Sequence, residues 1–365
     1  MILNEEQRLL RTTVADFLSK EAPIEALRHL RDTHQAPAWE PTLWRGLCEL
    51  GAPAVAQAEE AGGLGFGAVG MGALMIETGR RLCASPLLSS AIFAEAVIRL
   101  CGDATQRERL LPAVMSGQTV ATVACQEGTH FQPQVTQCRR DGDQLHGRKS
   151  MVLDAGSADY LLVSARDHNG TLNIGWVACD AAGVTIAPRR LMDSRQYASV
   201  EFSGATVEEW LRGEQLVTGF ERAMDETTIM LSAEMLGCSR ELLERTVVYL
   251  QEREQFDVKI GTFQALQHRI AEAFCRLELA GASVSAALTA IDTGSAALSE
   301  YASRAKTLTG DIFQHLSNEA VQMHGGMGVT DEMDIGLFLK RSRVCNQLMG
   351  DSAFHKDRFA TLRGY

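Results

Sequence analysis

The chain has 365 residues, 45% of them hydrophobic, enough to bury the cores of two or three domains. Its net charge of -11 and the lack of any Lys/Arg-rich block argue against nucleic acid as a partner. Nine cysteines stand singly, none in C-x-x-C, and neither a signal peptide nor an apolar run approaching about 18 residues is present; reduced thiols in a cytoplasmic protein, without a metal site or a membrane span, are expected.

Residues Asn4 to Lys20 read as an amphipathic helix. Leu9, Leu10, Val14, Phe17 and Leu18 recur at three- and four-residue spacings, Asn4 is a candidate N-cap, and Glu5 and Glu6 suit the first turn. A second helix runs through Trp44, Leu47 and Leu50 and stops at Gly51. The glycine-rich stretch Ala58 to Gly67 reads as a loop. Helices follow over Gly70 to Leu82 and Leu87 to Cys101, divided by Ser85-Pro86, and Pro112 to Gly117 closes the segment.

The texture changes at Thr119. Short β-branched runs cover Thr119 to Cys125, Tyr160 to Ser164, Leu172 to Val177 and Ala198 to Phe202, with turn residues such as Asp141-Gly142-Asp143 and Asn169-Gly170 between them. From Leu211 the pattern is helical again. Met224 to Arg253 is apolar nearly all round, as in a helix buried in a bundle, and helices over Phe263 to Leu279, Ala280 to Ile291 and Ala297 to Val321 complete it. The expected boundaries are 1–118, 119–207 and 208–365.

Four pieces of the last segment belong together: Arg253-Glu-Gln-Phe256, Phe263-Gln264, Gln322-Met-His-Gly325-Gly326-Met-Gly328 and Leu348-Met-Gly350-Asp351-Ser352. Arginine, glutamine amides and glycine-exposed backbone N–H groups are the donors that a phosphate-rich ligand needs. In order and spacing they resemble the acyl-CoA dehydrogenase family, FAD-dependent flavoproteins whose pattern is R-x-x-F-G, then F-Q, then Q-x-x-G-G-x-G. Leu43-Trp44 to Gly51 resembles the family's L-W-x-x-L-x-E-L-G. Ala58 to Gly65 resembles its P-E-E-Y-G-G-L-G, without the proline, and Gly147 to Asp159 its G-x-K-x-W-I-T-N-x-x-x-A-D. The resemblance covers nearly the whole chain. It implies a mainly α fold with a small β-domain: an N-terminal helical domain, a middle antiparallel β-domain and a C-terminal four-helix bundle. It also implies that Arg253, Phe256, Gln264, Gln322, Gly325 and Gly326 hold the FAD of a neighbouring subunit, that the substrate is an acyl-CoA, and that a separate electron-transfer flavoprotein takes the electrons, although no docking motif for it is legible.

The family's reaction removes a proton α to a thioester, which requires a carboxylate base in a water-poor pocket. In most of the family that base is the Glu of I-Y-E-G-T. Here the matching residue is Gly350, and Asp351 is one residue late and one methylene short. A minority places the base near the start of the helix beginning at Met224, which aligns with Thr227. Glu226 lies beside it, and Glu234 two turns on; Glu226 is equally explained as a first-turn acid and Glu234 as a buried polar contact. Where the resemblance sets Thr, Ser, Trp and Thr against the flavin ring, this chain has Cys125, Phe131, Met151 and Leu153. A chain keeping the half that serves a neighbour's FAD, and losing its own ring site and base, resembles the non-catalytic subunit of bacterial α2β2 acyl-CoA dehydrogenases that act on bulky, steroid-side-chain-like acyl groups. Two alternatives stay open: a self-sufficient homo-oligomer using Glu226 or Glu234, and a non-enzymatic structural or regulatory protein on this fold.

Overall fold

A computed structural model describes residues 2–33 and 36–365. Helices α1 (Glu5–Glu21), α2 (Ile24–Thr33), α3 (Pro41–Glu49) and α4 (Gly67–Arg80) come first. A π-helical stretch, Leu87–Ala94, leads into α5 (Glu95–Cys101), and α6 spans Ala104–Met115. Strands β1 (Ala121–Ala124), β2 (Arg139–Asp141), β3 (Gln144–Leu153), β4 (Tyr160–Arg166), β5 (Leu172–Ala178), β6 (Val184–Arg190), β7 (Gln196–Thr206) and β8 (Glu209–Trp210) follow. Then come α7 (Leu216–Glu252), a hairpin of β9 (Glu254–Gln255) and β10 (Val258–Lys259), α8 (Gln264–Asp292), α9 (Leu298–His324), α10 (Ile335–Gln347) and α11 (Ser352–Leu362). The chain is mainly helical with one sheet in the middle, the expected class.

By contacts it forms two compact units. One comprises Arg28–Gly67 and Ala84–Thr227, the other Met1–Leu27, Ala68–Cys83 and Thr228–Tyr365. In the first, the sheet order is β6-β7-β3-β2-β4-β5-β8, with β1 also on β4. Its core includes Leu145, Val163, Val177, Val200 and Phe202. The sheet is mixed rather than wholly antiparallel. β1 and β2 both run parallel to β4, while the remaining pairings are antiparallel. The reason is connection length: β1 and β2 are each separated from β4 by β3 and further chain, so no hairpin joins either parallel pair.

In the second unit, α1 begins as its sequence dictates. Asn4 accepts from the Gln7 amide and the Gln7 side chain returns to Asn4 N–H, a reciprocal capping box. The two helices expected over Phe263 to Ile291 are one continuous α8, because the single glycine there, Gly281, lowers helix propensity without ending a helix. By length and composition α8 could cross a bilayer, yet it packs along α9. The start of α4 is capped by the Asp292 carboxylate, which accepts from Ala68 N at 2.6 Å and Val69 N at 3.1 Å. α4 and α7 meet backbone to backbone. A Cβ on Gly79 would lie 2.0 Å from the Glu234 carbonyl oxygen, and one on Gly237 would lie 1.9 Å from that of Ile76.

That contact admits no methyl group. Gly237→Ala should cost about 1–3 kcal/mol by overpacking and lower the midpoint of thermal unfolding. A midpoint equal to that of the native chain would mean that the two helices are not in contact.

Candidate functional site

Five of the six residues expected to serve a neighbour's cofactor are placed at one end of the bundle by a pair of rings. Tyr249, in the last turns of α7, stacks on His324, the last residue of α9, at 4.1 Å, and its hydroxyl reaches the His324 carbonyl. This joins the segment bearing Arg253 to the segment bearing Gln322, Gly325 and Gly326. Val248, Tyr249, Glu252 and His324 also line a cavity of about 450 Å³. Neither ring stood out in the sequence, because each acts through a partner some 75 residues away.

Arg253 is exposed, and its guanidinium has no partner among the described residues. It enters the β9–β10 hairpin, whose two turn residues, Phe256 and Asp257, have φ of 55° and 63°. Positive φ at both positions defines the tight turn matched to strand twist. Asp257 replaces the family's glycine here, and aspartate is among the few side chains that tolerate this conformation. Phe256 projects with 87% of its surface exposed, braced only by an edge contact to Phe263 at 6.3 Å. Phe263 precedes α8, so Gln264, the sixth residue, is its first, exposed residue.

Gln322 is exposed in the last turn of α9. Gly325 ends that helix with φ 59° and ψ -139°, a conformation that favours glycine. Gly326 has no such need, and among the described residues no atom beyond the immediate chain neighbours lies within 4 Å of where a Cβ on either glycine would sit. Bare backbone, an unpartnered guanidinium, two amides and an exposed ring fit the phosphate and nucleotide portions of a cofactor.

The position of the missing base is organised quite differently. Gly350 lies between α10 and α11 with φ 96°, after Met349 at φ 57°. A Cβ on Gly350 would lie 2.5 Å from a Phe354 ring carbon and 3.0 Å from His355 Nε2. The fully buried Lys306 Nζ donates to the Gly350 carbonyl at 2.8 Å and to that of Asn346 at 3.3 Å. His355 Nε2 donates to Met349 O at 2.8 Å, since a carbonyl can only accept, and this leaves Nδ1 to accept from Ser303 Oγ at 3.3 Å. Burial, helped by the Lys306 charge, pushes His355 down to about 3; burial pushes Lys306 down to about 8. Asp351 caps α11, accepting from Phe354 N at 2.8 Å. These groups fix a turn, and no carboxylate occupies the position of the family's base.

Both alternative carboxylates are engaged. Glu226, buried, accepts from Arg99 at 2.6 Å on one oxygen and from Arg222 at 2.9 Å on the other. Arg99 also holds Glu95, whose carboxyl is raised to about 7 by burial. Thr227, aligned with the minority position, donates to the Ala223 carbonyl within its helix. Glu234 accepts from Arg341 at 2.9 and 3.1 Å, with both side chains buried.

The four positions set against a flavin ring offer it no hydroxyl or indole. Burial raises the Cys125 thiol to about 11, so it stays neutral, and Phe131, Met151 and Leu153 carry no donor. The loop they flank is tied down by Glu127, which accepts from the buried Lys149 at 2.6 Å and from Gln137 and Cys138 N–H. The open residues at the bundle end therefore fit the phosphate portion of FAD, and the side chains of Cys125, Phe131, Met151 and Leu153 offer no hydroxyl or indole.

The description "Acyl-CoA dehydrogenase, N-terminal domain" matches residues 4–118, and "Acyl-CoA dehydrogenase, C-terminal domain" matches residues 218–361. Acyl-CoA dehydrogenase IpdE2 of Mycolicibacterium smegmatis is 30% identical over 95% of this chain and 96% of its own length. Among solved structures, the steroid ACAD Tcur3481–Tcur3483 has a TM-score of 0.89 at 27% identity, covering 98% of each chain. The ChsE4–ChsE5 complex from Mycobacterium tuberculosis has a TM-score of 0.90 at 22% identity, covering 100% of this chain and 99% of that one. The chain belongs to the acyl-CoA dehydrogenase family, whose cofactor is FAD.

The turn at Gly350 has a pH signature. His355 is neutral in the fold and titrates near its ordinary value when unfolded, so the unfolded state binds more protons below about pH 6.5. Its contribution to stability is present at pH 7 and is lost as pH falls towards about 3. Between pH 7 and pH 5 the loss through this group should be about 2 kcal/mol, read by urea unfolding, and His355→Gln should remove that share of the slope. An unchanged slope in the variant would contradict the buried neutral imidazole.

Proposed function

We propose that this chain is a subunit of a heteromeric acyl-CoA dehydrogenase that supplies an FAD-clamping half-site to a catalytic partner subunit, in an α2β2 assembly with two FAD. The observation that carries the reading is a contrast within one helical unit. The phosphate-facing groups Arg253, Phe256, Gln264, Gln322, Gly325 and Gly326 lie open, whereas Gly350 is locked in a left-handed turn without a carboxylate. Arg253 gives charge-assisted donors to phosphate oxygens, Gln322 and Gln264 give amides, and Gly325-Gly326 lets backbone N–H groups approach closely. Phe256 covers apolar surface of the partner or cofactor. When bound, FAD accepts the hydride that leaves Cβ of the acyl chain. The α-proton has no acceptor among Gly350, Glu226 and Glu234, because taking it would require a guanidinium pair of Glu226 or Glu234 to break. The base then belongs to the partner.

The relative described as a steroid ACAD supports a bulky, steroid-like acyl group as the substrate class. Nine cysteines, none in C-x-x-C, support a cytoplasmic setting, with electrons passing to a separate electron-transfer flavoprotein as the family implies.

The test is reconstitution. Purified alone, the chain should not reduce an electron acceptor with acyl-CoA; co-expressed with its partner, it should co-purify with one FAD per two chains. Arg253→Ala should lower FAD affinity of the assembled complex about ten- to a hundredfold, or about 1.5–3 kcal/mol, and unchanged retention would remove the clamp role. Glu226→Gln should leave turnover by the complex in place. Turnover by the lone chain that vanished in Glu226→Gln would instead make it a self-sufficient enzyme.

A further inference from the structure

The sheet carries a cationic cavity on the hairpin side of the β-unit that no step above uses. Its floor follows from strand register. Arg139 of β2 pairs with His146 of β3 on one side and with Arg166 of β4 on the other. Directly paired residues project from the same face of a sheet, so three basic side chains stand in one row. Together with Arg140 and His168 they line a cavity of about 460 Å³. Like charges placed directly opposite destabilise a sheet unless something offsets them.

Among the described residues, no carboxylate forms an ion pair with these arginines. Arg140 is fixed by neutral acceptors, the Gly142 carbonyl at 3.1 Å and Asn173 Oδ1 at 2.7 Å, and its guanidinium lies 4.6 Å over the Trp210 ring. Arg166 donates to the carbonyls of Gly170 and Gln134. Arg139 is exposed and has no hydrogen-bond partner among the described residues. None of the three guanidiniums pairs with a carboxylate there. The two carboxylates on the cavity wall do not reverse the balance. Asp167 accepts from the Asn169 and Thr171 N–H groups of its own turn, which hold its carboxyl below the usual range, and Asp141 is exposed at the hairpin turn. Arg166 is therefore held in place while still charged, and Arg139 beside it is free to close; Arg140, one residue on, turns its guanidinium to the opposite face over Trp210. That is the arrangement that binds oxyanions through charge-assisted hydrogen bonds, and it is unexpected on a chain with net charge -11.

We infer that the cavity over Arg139, His146 and Arg166 is a binding site for a phosphate group, either free phosphate or the phosphate ester of a nucleotide. The inference does not rest on the proposed FAD clamp. Isothermal titration of the full chain, with its partner if one co-purifies, at low ionic strength tests the idea with inorganic phosphate and AMP as probes. Saturable binding should weaken at least tenfold in Arg139→Ala and return in part in Arg139→Lys, while Arg189→Ala, on β6 outside the cavity, should bind like the native chain. AMP binding tighter than phosphate would identify a nucleotide as the ligand, and equal affinities would identify free phosphate. Absence of saturable binding by either probe, or binding indifferent to Arg139→Ala, overturns the inference.

Discussion

The close approach of α4 and α7 is the constraint on which the helical unit depends. Carbonyl oxygens of Glu234 and Ile76 lie where side chains on Gly79 and Gly237 would begin, so the helices touch along bare backbone. The Cys238 thiol adds a contact to the Gly79 carbonyl. Dispersion contacts at that separation are dense, and small changes in volume are felt at once. This fixes the position of Glu234 within the core, where Arg341 must meet it. A buried carboxylate without its guanidinium would carry a desolvation cost of several kcal/mol. Glu234 is thus held by its pair with Arg341, and the α7 end carrying Tyr249 and Arg253 is set by the same seating.

The same reasoning separates a carboxylate that can act as a base from one that cannot. A base needs a lone pair aimed at the proton and surroundings that tolerate its neutralisation. Glu226 presents one oxygen to Arg99 and the other to Arg222. Protonating it would strand two guanidiniums, one of which also holds Glu95. Glu95 shows what this burial does to an acid with fewer partners: its carboxyl is raised to about 7. The four side chains form one hydrogen-bonded cluster, Arg99 holding both Glu95 and Glu226 and Arg222 holding the second oxygen of Glu226.

Much of this was legible in the sequence, and the failures have physical reasons. The N-cap at Asn4 was readable because it depends on residues three apart. The α7 start was placed at Met224 rather than Leu216, because Glu221 and Arg222 interrupt the apolar run without interrupting the helix. β6 is not legible in the sequence because Pro188 and paired arginines disguise a half-exposed edge strand, one of the few places in a sheet where proline is tolerated. The absence of a base at Gly350 was legible residue by residue. What filled its place was not. Lys306, His355 and Ser303 act on backbone carbonyls or on one another across 6 to 52 residues, and nothing in their own neighbourhoods marks them. The residues proposed for the clamp form a sequence pattern, whereas the Tyr249–His324 stack that brings the α7 and α9 ends together is purely tertiary.

The two turns flanking this bundle use left-handed backbone to opposite ends. At Met349-Gly350 the positive φ values turn carbonyls inward, where a buried ammonium and a buried neutral imidazole satisfy them. A side chain there has no room, and the turn is complete without any ligand. At Phe256-Asp257 the same conformation turns a phenyl ring outward into water. Gly325 needs its conformation, yet Gly326 beside it is bare without any need arising within the chain. A surface that keeps a guanidinium unpartnered, an aromatic ring exposed and a glycine unfilled is incomplete by itself. Its apolar and hydrogen-bonding groups gain their free energy only when something apolar and phosphate-bearing covers them. The inward turn is closed and the outward turn is open; on the proposed reading, the chemistry missing from the first arrives with the partner that docks on the second.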